Sequence, residues 1–455
     1  MEGNALAFFS GIFFLLTSLW ILVISLKRSC FGIFLLSSEY FFILGLGVFP
    51  ILLSLNLISN SSLFLSYQKL NGDISIATHF HLIFYSIGMF CGYFLLNKSK
   101  KSYKKLLIKI AVNSNIDNNL WFFCIAIFSI STSILYFNII GFENAIVNAN
   151  FVRGGDLSGL DGNVEFLFLK RLTMIAIFIV SFLPYIFIKK KWIAISFLIV
   201  FLLSVLIYMQ TVARTTFVEL LLLYILLFFY FASRREKIIL SFFILICIPF
   251  FITILLYGKQ LLPLISGYYF SGNKLELIDN IDDEQWYSFL YQFGHLYYSI
   301  DAGIKDFFTN GPLLGLDVIL SPFGIFPSSI YHITNLEFLD YHSVANSDRF
   351  SCINTSYFAK NQECSVPPFF TGASSYIFPL FGGFFFVWFK FYIFSILEKT
   401  WMSIKDFPEY IWLPAFIFLL FIKISSFIPN SIAFAFFILY IFSFFLLLKK
   451  ITIKV

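Results

Sequence analysis

Ile281-Asp282-Asp283-Glu284-Gln285-Trp286-Tyr287-Ser288-Phe289-Leu290 lies inside Gly258–Pro368, the one long polar tract in a chain otherwise made of apolar segments. The tract carries twelve acids against five Lys/Arg, three of the five histidines, and the pair Cys352/Cys364. On both sides of it, runs of roughly 18 or more apolar residues recur about every 30 to 40 positions, each long enough to cross ~30 Å of hydrocarbon. Such runs are continuous rather than alternating, so they predict helices and not the strands of a barrel. The fold class expected is therefore an all-α polytopic membrane protein with about 11 transmembrane helices.

Composition agrees with that reading. The chain is 59% hydrophobic and 12% charged, with a mean hydropathy of +0.88, which excludes an ordinary soluble domain. Met1-Glu2-Gly3-Asn4 lacks the basic start of a cleavable signal. The net charge of +6 is accounted for by basic clusters at helix ends, so no nucleic-acid partner is expected. Placing Lys27-Arg28 in the cytoplasm and alternating through the spans leaves 19 of the 31 Lys/Arg on cytoplasmic loops and the tail. The amino terminus then lies outside and the carboxyl terminus in the cytoplasm. Three regions follow: residues 1–257 hold helices one to eight with an external loop at 141–165, residues 258–368 form a large external loop, and residues 369–455 hold the last three helices. The localisation expected is the bacterial cytoplasmic membrane.

Within the tract, Asp282 and Gln285 have the spacing of a capping box. Trp286, Phe289, Leu290, Phe293, Leu296, Tyr297, Ile300 and Ile304 then recur at helical spacing, opposite Ser288, Gln292, His295 and Ser299. This amphipathic helix can lie on the outer membrane face or pack over the bundle. Gly311–Tyr331 is apolar but interrupted by Pro312, Pro322 and Pro327, and reads as re-entrant or interfacial. Cys352 and Cys364 are the only cysteines in the tract, and an oxidising compartment favours pairing them.

Candidate site residues come from the outer side. Arg214 opens an apolar helix with Glu219 five residues deeper. It is either an interfacial anchor or a fork placed to hold phosphate oxygens at headgroup depth. Arg153 stands against Gly154-Gly155, where a backbone can approach an anion closely. Arg349 adjoins Asp348, so an ion pair between them competes with a ligand role. His79 and His81 straddle a span boundary and read as interfacial. No metal-ligand spacing and no nucleotide motif appears, and neither metal nor cofactor is expected.

Two stretches, taken with the architecture, carry a family resemblance. Thr211-Val212-Ala213-Arg214-Thr215 opens a Leu-rich helix, and Phe369-Phe370-Thr371-Gly372-Ala373-Ser374-Ser375-Tyr376 leads to Phe381-Gly382-Gly383. With about eleven spans, a moderate outer loop bearing an arginine and a much larger one late in the chain, the protein resembles the bacterial O-antigen polymerases, the oligosaccharide repeat-unit polymerases. The Arg-x10-Gly repeat of some members is absent, since Val164 and Lys360 stand where its glycines would fall.

The resemblance implies a glycosyltransferase acting on undecaprenyl-diphosphate-linked glycan at the outer face of the membrane. Arg214, Arg153, Arg349 and Tyr376 would then bind the substrate or its diphosphate. His295, His342 and Asp340 are the candidate bases for the acceptor hydroxyl. The partners implied are the lipid-linked glycan, the bilayer, a chain-length regulator and a flippase. An O-antigen ligase shares the topology and donor. A polysaccharide flippase or other transporter would carry more charge along its helices than Glu39, Glu219, Lys390 and Lys423.

Overall fold

A computed structural model of the protein describes residues 2–28, 42–57, 74–94, 118–141, 284–324, 328–358 and 366–404, with shorter pieces of 198–249 and 420–443 and single positions such as Glu39, Phe326 and Cys364. Among the described residues every regular element is helical and there is no strand. Backbone hydrogen bonds closed within each segment are what long apolar runs require away from water. Arg153 and Arg214 lie outside the described residues, as do Glu219, Lys423 and the Asp282 end of the capping box.

The described chain divides into two compact units. One holds Asn118–Ile140, an apolar helix, with pieces of the chain up to residue 249. The other holds both flanks of the chain and the polar tract from Trp286 onward. Its elements are α1 (Glu2–Arg28), a π-turn at Ile43–Val48 running into α2 (Phe49–Ser54), and α3 (Ile76–Phe94). The tract contributes α4 (Glu284–Asn310), α5 (Leu316–Leu320), α6 (Ser328–Thr334) and α7 (Phe350–Phe358). α8 (Phe369–Ile377) and α9 (Phe381–Ile404) follow. Among the described residues two stretches, Gly3–Arg28 and Phe381–Met402, are long and apolar enough to cross a membrane.

Small residues set the helix contacts. Gly88 and Gly92, one turn apart on α3, meet the α9 backbone: a Cβ at Gly88 would stand 2.5 Å from the Phe384 carbonyl, and one at Gly92 would collide with that of Trp388. Close backbone approach of this kind is how helices associate where apolar side chains alone give no preference over lipid. α1 packs along α3, with Phe14 beside Tyr85 and Trp20 stacked on Phe90. At the carboxyl ends of these helices, Ser25 of α1 donates to Glu398 of α9 at 2.9 Å, and Tyr93 of α3 donates to the other oxygen of the same carboxylate.

The amphipathic helix α4 is packed inside the unit. Gly45 backs onto Phe293 and Leu296, Gly294 onto Phe49, and Gly303 onto Ser375 and Tyr376. Its polar side is also covered, with Ser299 and Asp306 buried, and Asp301 on the opposite face is buried too. Of the two placements expected, on the outer membrane face or packed over other helices, the contacts of α4 are those of packing. A second difference concerns the span expected from about residue 370 to Glu398-Lys399. It is broken at Phe378-Pro379-Leu380 into α8 and α9, because Pro379 lacks an amide hydrogen and disfavours helix at the residue before it. Leu380 takes a left-handed φ of 66° at the break.

Candidate functional site

The tract is built around buried carboxylates acting as acceptors. Asp317, fully buried, takes amide hydrogens from Val318 (3.0 Å), Phe350 (3.1 Å) and Ser351 (3.4 Å) and the Ser351 hydroxyl (3.0 Å). It therefore caps the amino end of α7 from a distance, satisfying donors that have no partner within the helix. Burial pushes the Asp317 carboxyl above the ordinary range and these donors pull it back. Gly315 makes the turn into α5 at φ 61°, where any side chain would strike the Phe350 ring.

The loop before α7 brings three of the candidate residues together. Asp340 accepts from the His342 amide (2.9 Å) and the Ser328 hydroxyl (3.3 Å), both at one oxygen, and is buried. That is a turn-forming role, so a free base at Asp340 has little support. Arg349 donates from Nε to the Val344 carbonyl (2.8 Å) and from Nη2 to the His342 carbonyl (3.2 Å), and its guanidinium lies 5.5 Å from the Tyr341 ring centre. Among the described residues it makes no ion pair with Asp348. Two of its five N–H donors are thereby engaged, with the side chain fixed and half-buried. His342 is exposed in the same loop. Chemically, the loop can present an oriented guanidinium to an anion, with His342 exposed elsewhere in the same loop.

Tyr376 is placed differently. It is fully buried, donates to Asn354 Oδ1 at 3.0 Å, and meets the Phe350 ring edge-on at 5.8 Å. Asn354 in turn donates to Ser299 (3.0 Å) and the Val366 carbonyl (2.9 Å). Tyr376 thus supports the helix that follows Arg349 and does not reach a surface. His295 is half-buried on α4 beside the Phe369 ring, 5.2 Å away, and so belongs to the start of α8 rather than to the 340–349 loop. Cys352 and Cys364 are bonded to each other beside Asn346, tying the first turn of α7 to the strand of chain that enters α8.

Several polar residues of this region had no sequence signature. His79 and His81 are buried. The Leu380 amide donates to His81 Nδ1 at 3.1 Å, so Nε2 carries the proton and donates to Ser374 at 3.0 Å, while Ser374 donates to the Thr371 carbonyl. His79 pairs with the Tyr297 hydroxyl at 2.8 Å. Asp301 accepts from the Ser75 amide and the Thr78 hydroxyl, both at 2.8 Å, and pairs with Lys305 at 2.6 Å. The only hint in the chain was the placing of Asp301 on the otherwise apolar face of α4. Among the described residues no group of three His, Cys, Asp or Glu is arranged to hold a metal.

No protein-family model matches the chain, and neither a curated protein nor a solved structure matches it.

Proposed function

We propose that the protein is a multi-pass membrane glycosyltransferase that polymerises undecaprenyl-diphosphate-linked repeat units into O-antigen or a similar surface polysaccharide. The observation that carries this reading is Arg349: a guanidinium fixed by two backbone carbonyls in the outer tract, with donors left over for an anion and His342 exposed in the same loop. In the reaction, the acceptor hydroxyl attacks the anomeric carbon of the donor sugar. Its proton passes to a base, for which His342 is the most accessible candidate, and the bond from the sugar to the diphosphate breaks. The charge left on the lipid diphosphate is stabilised by Arg349.

The orientation this requires has support in the packing. α1, α3 and α9 are each followed closely by basic residues, and their carboxyl ends meet at Ser25, Tyr93 and Glu398. In an eleven-span arrangement these are spans one, three and nine, all of which must run from outside to inside.

Deleting the gene and examining surface glycan tests the reaction. The expected result is a single repeat unit on its acceptor with the long ladder lost, restored by the wild-type chain and not by Arg349→Ala at equal abundance. Loss of even the single unit would identify a ligase or flippase step instead.

A further inference from the structure

We infer that Asp317 is a positioning residue for Arg349: it takes over the cap of α7, so that an arginine can stand at the capping position with its side chain released for an anion. This rests on the reading of Arg349 as the group that binds the diphosphate, and adds to it the residue that fixes where the guanidinium starts.

Arg349 occupies the N-cap of α7. Its backbone is extended, at φ −103° and ψ 120°, and its carbonyl accepts the Ile353 amide at 3.1 Å, closing the first turn. Ser, Thr, Asp or Asn is the usual residue there, because its side chain turns back to take an amide of that turn. A guanidinium has donors and no acceptor, so it cannot cap in this way. Here the acceptor comes from α5 instead. One oxygen of Asp317 accepts from the Phe350 amide, and the other accepts from the Ser351 amide and hydroxyl.

The side chain of residue 349 is thus released from the helix end, and its backbone is held from both directions. Upstream, Nε and Nη2 are bonded to the Val344 and His342 carbonyls. Downstream, the next two residues are tied to Asp317. Neither hold engages Nη1.

Asp317 reaches Arg349 through the backbone alone. Among the described residues no ion pair joins the two, and the carboxylate is fully buried where the guanidinium is partly exposed. The carboxylate is itself fixed. Gly315 brings the start of α5 so close to the Phe350 ring that a Cβ would overlap it, and the Val318 amide holds Oδ1 at 3.0 Å. Loosening the first turn of α7 would shift the base of a long side chain, and a misplacement of about 1 Å can cost up to ~10²-fold in rate.

Asp317→Asn in the full chain tests this, with Ser351→Ala as the milder variant, since it removes only the hydroxyl bond to Asp317. Arg349→Ala is run beside them, as is Ser25→Ala, whose lost bond lies between α1 and α9. Each protein is purified in detergent and compared at equal folded concentration. Two quantities are read: the rate at which phenylglyoxal modifies Arg349, followed by peptide mass spectrometry, and the affinity for undecaprenyl diphosphate. The expected result is modification of Arg349 several-fold faster in Asp317→Asn and less so in Ser351→Ala. Affinity should fall in the same order, with neither quantity moved by Ser25→Ala. Unchanged reactivity of Arg349 in both Asp317→Asn and Ser351→Ala overturns the positioning role. A rise of the same size in Ser25→Ala also overturns it, because that marks general loosening. Wild-type affinity in Asp317→Asn where Arg349→Ala has lost it does the same. Faster modification with wild-type affinity even in Arg349→Ala has the opposite meaning: Asp317 still positions Arg349, and Arg349 is removed from the diphosphate.

Discussion

Lys390 Nζ lies 2.7 Å from Glu39 Oε1, and both side chains are buried, with the ammonium 4.3 Å from the centre of the Phe42 ring. Along α9, helix rise puts Lys390 about 13 Å before Lys399, and Glu39 is paired with it there. Both are near mid-membrane in the proposed arrangement. Two of the four charges expected within spans therefore neutralise one another. This is a structural pairing and not a charged path along facing helices.

Breaking that pair should be worse than removing it. Glu39→Gln or Lys390→Met alone leaves one buried charge uncompensated, a loss of roughly 3 to 5 kcal/mol. The double variant should recover most of it. Membrane abundance and thermal unfolding in detergent measure this; a double variant no better than either single one would show that the pair is not what stabilises this contact.

Tyr376→Phe removes the only hydroxyl donor to Asn354 Oδ1 that the fold provides from α8, at a cost of about 1 to 3 kcal/mol. Stability should fall while polymer per folded molecule stays close to wild type, as expected of a positioning residue. A large loss of polymer at normal abundance and normal melting temperature would instead put Tyr376 in contact with substrate.

Removing the Cys352–Cys364 bridge opens a loop with a sequence separation of 12, for which chain entropy gives roughly 3 kcal/mol. Cys352→Ala should lower the melting temperature and raise protease sensitivity between α7 and α8. Thiol labelling of intact cells should be weak at both positions until reductant is added.

Gly92→Leu should separate α3 from α9, since even a Cβ at that position overlaps the Trp388 carbonyl. Abundance should drop sharply, and more than for Leu placed at Gly3, around which there is open space. Equal abundance of the two variants would argue against this helix contact.

Periodicity was enough to read helix among the described residues, the amphipathic helix ahead of Asn310, and the thiols that could pair. These are local properties: a helix satisfies its own backbone, and a basic cluster reports its own loop. Which residues meet could not be read that way. Glu39 and Lys390 are 351 positions apart, and Ser25 and Glu398 are 373 apart, so nothing in the neighbourhood of either partner announces the other. The same holds for Arg349. Its neighbour Asp348 was the natural partner by sequence, yet the turn capped by Asp340 directs the guanidinium onto the carbonyls of His342 and Val344. Tyr376, one aromatic among many in the chain, became a buried donor only because α7 folds back against α8 and offers Asn354. The sequence alone determined where the chain is apolar and where it is charged, because those are properties of single segments. Tertiary structure alone decided which buried polar groups are satisfied, because each needs a partner brought from a distant part of the chain.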